Sequence, residues 1–199
     1  MAESFGVAVS TAAIAGIQKG KMIFAVKTDV YETHPVVGFE INMAVKNRGI
    51  ALNIVSDKRG KLSRLPGAHL TVNKPGSDVV LLNAIAKVII DENLAKATVP
   101  ADFAAGIAAA TPEAAAVQTG VDAESIKSLA RGLAASENVV FLFTAGLAYP
   151  ESNDQLAHAV SNLAILTGNF GREGAGVLAL QEKNNSQGAI DTGFVPAAG

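Results

Sequence analysis

Lys21-Met22-Ile23-Phe24-Ala25-Val26-Lys27-Thr28-Asp29 is a short, nearly continuous apolar run that stops on polar residues. Such a run reads as a strand covered on both faces, as in a parallel sheet with helices above and below. From His34-Pro35 onward Val37, Ile41, Ala44 and Val45 recur at spacings of three and four up to Arg48-Gly49, the pattern of an amphipathic helix with a glycine stop. Ile50-Ala51-Leu52-Asn53-Ile54-Val55 is the next strand and ends at Ser56-Asp57-Lys58-Arg59-Gly60. Strand, helix and strand within about 35 residues make a βαβ unit, whose crossover should be right-handed.

Outward from this unit, a third strand over His69 to Val72 runs into Lys74-Pro75-Gly76-Ser77-Asp78. Val79 to Ile90 is long and rich in Ala and Leu, which favours helix, with Ser77 or Asp78 able to cap it. Residues 95–120, dense in Ala, Thr and Pro, read as a linker with one short helix starting at Pro112. Asp122 is an N-cap for a helix with Ile126, Leu129, Ala130 and Leu133 on one face, and Val139 to Phe143 is a buried strand opening onto Thr144-Ala145-Gly146. A further helix runs from about Asn153 to Leu166. The expectation is therefore an α/β chain: a Rossmann-like parallel sheet flanked by helices over 1–94, a linker over 95–120, a second, smaller and incomplete α/β lobe over 121–168, and an irregular Gly/Asn-rich tail over 169–199.

Composition narrows the function classes. The 199 residues carry a formal charge of −2 and 5% aromatics, which argues against a nucleic-acid binder. With no cysteine, the chain supplies no disulfide, no thiolate-held zinc or Fe–S cluster and no cysteine nucleophile, so redox chemistry needs a cofactor from outside. No signal peptide and no membrane-spanning run is visible, so a cytoplasmic location without membrane insertion is expected. At 49% hydrophobic and 17% charged the chain is apolar, which suggests surface covered by a partner. His34, His69 and His158 lack metal-ligand spacing, so no metal ligand and no catalytic acid or base is assigned.

The polar punctuation falls where open α/β sheets place ligands, past the carboxyl ends of strands. Asp57 can hold a nucleotide ribose with Lys58 and Arg59 near phosphates, or it can be a solvated turn. Asp78 at a helix start would repel a phosphate. It suits the donor edge of guanine, since a carboxylate only accepts, or it is a plain cap. The loop Gly168-Asn169-Phe170-Gly171-Arg172-Glu173-Gly174-Ala175-Gly176 closes a helix rather than opening one, which excludes a phosphate loop. Gln181, Asn184, Asn185, Ser186 and Gln187 have the mixed donors and acceptors that a pterin or purine edge needs, and equally suit a solvated tail.

Several segments together carry a resemblance: Tyr31-Glu32-Thr33-His34-Pro35-Val36, Ile54-Val55-Ser56-Asp57-Lys58-Arg59, Lys74-Pro75-Gly76-Ser77-Asp78, Leu166-Thr167-Gly168-Asn169-Phe170-Gly171-Arg172-Glu173-Gly174-Ala175-Gly176, and Asn184-Asn185-Ser186-Gln187-Gly188-Ala189-Ile190-Asp191. In order and spacing they resemble the middle of the molybdopterin oxidoreductases of the bis-guanine-dinucleotide type, which include formate dehydrogenases and nitrate reductases. They are also similar to the related G subunit of NADH–quinone oxidoreductase, the version the chain is read as closest to. The resemblance implies a molybdopterin guanine dinucleotide cofactor between two Rossmann-like domains. Asp57, Arg59, Gly76, Ser77 and Asp78 would lie at one nucleotide end, and Gly168, Asn169, Asn184, Asn185 and Asp191 at the other. It implies Fe–S clusters only in parts of a longer chain, an excised domain not catalytic alone, and other subunits of a respiratory or formate-oxidising complex as partners, peripheral to the inner membrane. Self-association of the incomplete lobe is a further expectation.

One departure bears on the cofactor. Active members of the family usually place a glycine and an asparagine after the first strand, where the cofactor's backbone passes. Here the turn is Lys27-Thr28-Asp29, which puts side chains and a negative charge there and implies a degenerate cleft on that side. An ordinary nucleotide-binding Rossmann module is the remaining reading, and the lack of Gly-x-Gly-x-x-Gly after any strand speaks against it.

Overall fold

The computed structural model describes residues 10–145 and 150–181, together with Gly188 and Thr192. Strands β1 (Met22–Val26), β2 (Ala51–Ser56), β3 (Ala68–Val72), β4 (Val139–Ala145) and β5 (Gly176–Gln181) form one parallel sheet in the order β3-β2-β1-β4-β5. Helices α1 (Val30–Thr33) and α2 (Pro35–Arg48) lead from β1 to β2. Helices α3 (Asp78–Asp91), α4 (Ala101–Gly106), α5 (Pro112–Thr119) and α6 (Ala123–Ala135) lead from β3 to β4, and α7 (Pro150–Leu166) from β4 to β5. The α/β class and the helix-flanked parallel sheet are those the apolar runs imply.

β1 is buried at every position because successive side chains enter different cores. Met22, Phe24 and Val26 share one apolar cluster with Phe141 and Phe143 of β4 and with Leu82, Ile85, Leu133 and Leu163 of α3, α6 and α7. Ile23 and Ala25 share the other with Val140 and Leu142 and with Val37, Ile41 and Ala44 of α2. The rings of Phe24 and Phe141 lie 5.7 Å apart in a tilted pair, so the β1–β4 seam is packed as well as hydrogen-bonded. Helix ends follow the local chemistry. Asp122 accepts from Ser125 N–H at 3.0 Å and Thr111 from Ala114 N–H at 3.2 Å, and Gly49 ends α2 at φ 65°.

The division expected at 95–120 does not divide the sheet. β4 pairs with β1 from Met22↔Val139 to Val26↔Phe143, so the stretches 1–94 and 121–168 build one sheet rather than a lobe and an incomplete second lobe. A strand covered on both faces needs neighbours on both edges, and local periodicity does not say which strand will be that neighbour. The segment 95–120 holds α4 and α5, two short helices rather than one. Nor is 169–199 irregular throughout: Gly176–Gln181 is β5, an apolar run hidden in sequence by the glycines before it. Residues 10–12 cover its outer edge, where Thr11 N–H donates to Val177 O at 2.9 Å and Ala179 N–H to Ser10 Oγ at 3.1 Å.

Among the described residues the apolar composition therefore fills both faces of one sheet. Val36 and Phe39, 68% and 59% exposed, lie one turn apart on α2, and Val117, 77% exposed, lies on α5 across the sheet. No helix among the described residues is long and apolar enough to cross a membrane.

If the β1–β4 seam holds the two halves together, Phe141→Ala should lower unfolding stability by about 3–5 kcal/mol in a urea titration, whereas Val117→Ala should stay within about 0.5 kcal/mol. A small effect of Phe141→Ala would mean that the two halves are stable separately.

Candidate functional site

The strand order reverses between β1 and β4, and in an open α/β sheet the crevice outside the carboxyl ends at such a reversal is the ligand site. Here the crevice is narrowed by a hydrogen bond between the hydroxyls of Thr28 and Thr144, 2.6 Å apart. Beside it opens a cavity of about 290 Å³, walled by Lys27, Thr28 and Asp29 after β1, Ser56, Asp57 and Lys58 at the end of β2, and Glu32, Gly60, Ser63 and Thr144 among others.

The β1 turn is unusual in two ways. Lys27 has φ +47°, the left-handed region where a side chain is disfavoured and glycine is at ease. Asp29 has one carboxylate oxygen buried without a hydrogen-bond partner, and the other lies so close to Gly60 that a Cβ there would come within 2.9 Å of it. Three carboxylates (Asp29, Glu32, Asp57) against two ammonium groups (Lys27, Lys58) give the cavity wall a net negative formal charge. A pyrophosphate is disfavoured beside that wall, whereas the hydroxyls of a ribose can donate to Asp57.

Asp78 is not a simple helix cap. Ser77 occupies the cap position of α3 without a side-chain cap bond, and its hydroxyl donates to Lys74 O at 2.6 Å. Asp78, 4% exposed, turns its carboxylate to Asn73, whose amide Nδ2 donates to Oδ1 at 3.0 Å. The same Nδ2 group reaches Lys74 O and Ser77 Oγ at 3.1 Å each, while Asn73 Oδ1 is buried without a partner. The second oxygen, Oδ2, lies 3.9 Å from Lys27 Nζ. Asn73 N–H donates to Ser56 O at 3.2 Å, which ties the ends of β2 and β3 and brings Asp57 and Asp78 to the same edge of the sheet. Asn73 escaped the sequence reading. Its signal was only its place, a polar residue where an apolar strand meets Lys74-Pro75-Gly76.

Of the other expected site residues, Arg59 is exposed and outside the cavity wall, and Gly76 makes an exposed turn at φ +79°. Gly168 and Asn169 lie at the opposite, amino edge and do not join this site. Gly168 ends α7 at φ +65°, with its N–H donating to Ile165 O at 2.9 Å and that of Asn169 to Ala164 O at 2.8 Å. The fully buried Asn169 accepts from Val139 N–H at 2.9 Å, at the first residue of β4, and donates to Thr167 O and Oγ1. The Gly-rich loop there serves close approach: a Cβ on Gly174 would stand 2.5 Å from Lys19 O. Asn184, Asn185 and Asp191 lie outside the described residues.

Comparison with known proteins agrees with this architecture. The family profile described as "Molybdopterin oxidoreductase" matches residues 3–199. The chain is 31% identical to the F420-dependent formate dehydrogenase subunit alpha of Methanocaldococcus jannaschii, over 98% of this chain and 30% of that protein. It is 30% identical to formate dehydrogenase H of Escherichia coli over 98% and 28%, and 34% identical to the probable oxidoreductase YjgC of Bacillus subtilis over 92% and 19%. The chain thus spans less than a third of the length of these relatives. Among solved structures, acetylene hydratase from Pelobacter acetylenicus shares the fold with a TM-score of 0.69 at 19% identity, over 85% of this chain and 24% of that one.

The two edges of the sheet should separate in mutagenesis. Asn169→Ala strands the buried N–H of Val139 and should cost about 1–3 kcal/mol of stability by chemical denaturation. Asp57→Asn at the carboxyl edge should change stability by less than about 0.5 kcal/mol.

Proposed function

The chain belongs to the molybdopterin oxidoreductase family, and on that premise we propose that it is the part of a formate dehydrogenase-like, electron-transferring subunit that grips one nucleotide end of the guanine dinucleotide cofactor. The observation that carries this is the placement of Asp57 and Asp78 at one carboxyl edge of a single sheet, Asp57 in the wall of the cavity beside the crevice where the strand order reverses and Asp78 behind Lys27 of that wall. An acceptor-only carboxylate suits both ribose hydroxyls and the N1–H and 2-amino donors of guanine. The residues fit a nucleoside better than a pyrophosphate, because Asp29 stands at the crevice with an uncompensated oxygen. When bound, the cofactor supplies the redox chemistry, and this chain's residues bind and orient its nucleoside. The full protein then works with other subunits, as the name of the archaeal alpha subunit suggests for that relative.

A second reading is the one the sequence motifs favour, a subunit like the G subunit of NADH–quinone oxidoreductase in which the fold is a scaffold beside an electron path. Lys27-Thr28-Asp29 and the Thr28–Thr144 hydrogen bond support it, since they crowd the crevice.

Molybdenum analysis and acid release of GMP on the full-length protein from its source separate the two. Stoichiometric molybdenum and GMP are expected for the formate dehydrogenase-like reading. An empty protein with intact electron transfer would replace it with the scaffold.

A further inference from the structure

Lys27 both lines the carboxyl-edge cavity and reaches Asp78, which itself is not part of the cavity wall. The lysine side chain is 43% exposed and the carboxylate 6%, so the ammonium approaches a nearly buried acid from the solvent side. The inner side of that acid is already occupied. Asn73, 2% exposed, donates to Oδ1, and its Nδ2 group is also turned to Lys74 O and Ser77 Oγ. Asp78 therefore has one oxygen held from within by an amide and the other faced by a cation from without. The backbone that delivers the cation is strained for a lysine: φ +47° is a conformation a glycine adopts freely. Its N–H nonetheless donates to Val55 O at 2.9 Å, which anchors the turn to β2. The other charged groups of the cavity wall, Asp29, Glu32, Asp57 and Lys58, come from α1 and the turns after β1 and β2.

Resting on the nucleotide reading above, we propose that Lys27 is an internal occupant of the nucleoside recess: its ammonium takes the face of Asp78 that the donor edge of a guanine base would use. The two cannot be there together. The ammonium lies 3.9 Å from Oδ2 on the accessible side of the acid, the place a guanine N1–H with its 2-amino group would need, while Asn73 holds Oδ1 from the buried side. Guanine selectivity is thus retained in the Asn73–Asp78 pair, and the nucleotide end of the cofactor has to displace the ammonium of Lys27 to reach it, which weakens binding without abolishing it. The obstacle is removable, because glycine at position 27 suits the backbone better than lysine does.

The test uses full-length protein produced in cells that do not make the cofactor, with guanosine and adenosine as probes so that no phosphate is drawn to the lysine. Calorimetric titration should show weak guanosine binding by the wild type. Binding should tighten on the order of tenfold in Lys27→Gly, with no gain for adenosine, and the lysine-like state should persist in Lys27→Arg. Adding Asp78→Asn to Lys27→Gly should abolish the gain. If wild type and Lys27→Gly bind guanosine equally, and Asp78→Asn weakens both, the role of Lys27 is overturned while the nucleotide reading stands. If no variant binds guanosine, or if Asp78→Asn is without effect, the proposal and the nucleotide reading fall together.

Discussion

β1 has neither a free face nor a free edge. Met22, Phe24 and Val26 are committed to one apolar cluster and Ile23 and Ala25 to the other, while β2 and β4 take its two sides. Helices must then cover both faces, and the chain, having run outward through β2 and β3, must return to the far side of β1 to lay down β4. That return reverses the strand order, and the reversal opens the crevice in which Thr28 and Thr144 meet. The site's position follows from the packing of five apolar side chains.

Magnitudes explain why the polar edge is free to vary. Burying each large apolar side chain of β1 contributes about 1.5–3 kcal/mol, whereas a single hydrogen bond at the crevice is worth about 0.5–1.5 kcal/mol net. The core can absorb a strained Lys27 and an uncompensated Asp29 oxygen without losing the fold. Asp78 is held more tightly. A carboxylate so deeply placed needs partners, and Asn73 and Lys27 are the ones the structure provides. At the amino edge the polar groups serve architecture: Asn169 satisfies the first N–H of β4, and Gly168 closes α7.

Much of this was legible locally. The apolar runs at 21–26, 50–55 and 139–143, the stops at Gly49 and Gly168, the cap at Asp122 and the helix start at Pro112 each express short-range chemistry that tertiary contacts reinforce. The presence of Asp57 and Asp78 at the same carboxyl edge of the sheet was readable too, since both follow strands that run the same way. The lobe boundary was not. The linker at 95–120 has the composition of a boundary, yet α5 and α6 pack into the same cluster as α3 and α7. β5 was hidden because the four-residue apolar run Val177-Leu178-Ala179-Leu180 after a Gly-rich loop has no periodicity of its own to distinguish it. Asn169 looked like a ligand residue because buried asparagines at strand edges and asparagines at cofactor sites are written with the same letter.

Periodicity and punctuation alone determined the elements of the βαβ unit and most that follow it, the parallel class and the candidate acids, because each depends on residues a few positions apart. Only the tertiary structure decided that β4 belongs beside β1, that Gly168 and Asn169 stand at the edge away from Asp57, and that Lys27 faces Asp78. These are pairings between residues far apart in the chain, and pairing energy is set by which surfaces meet in space, a quantity no local window contains.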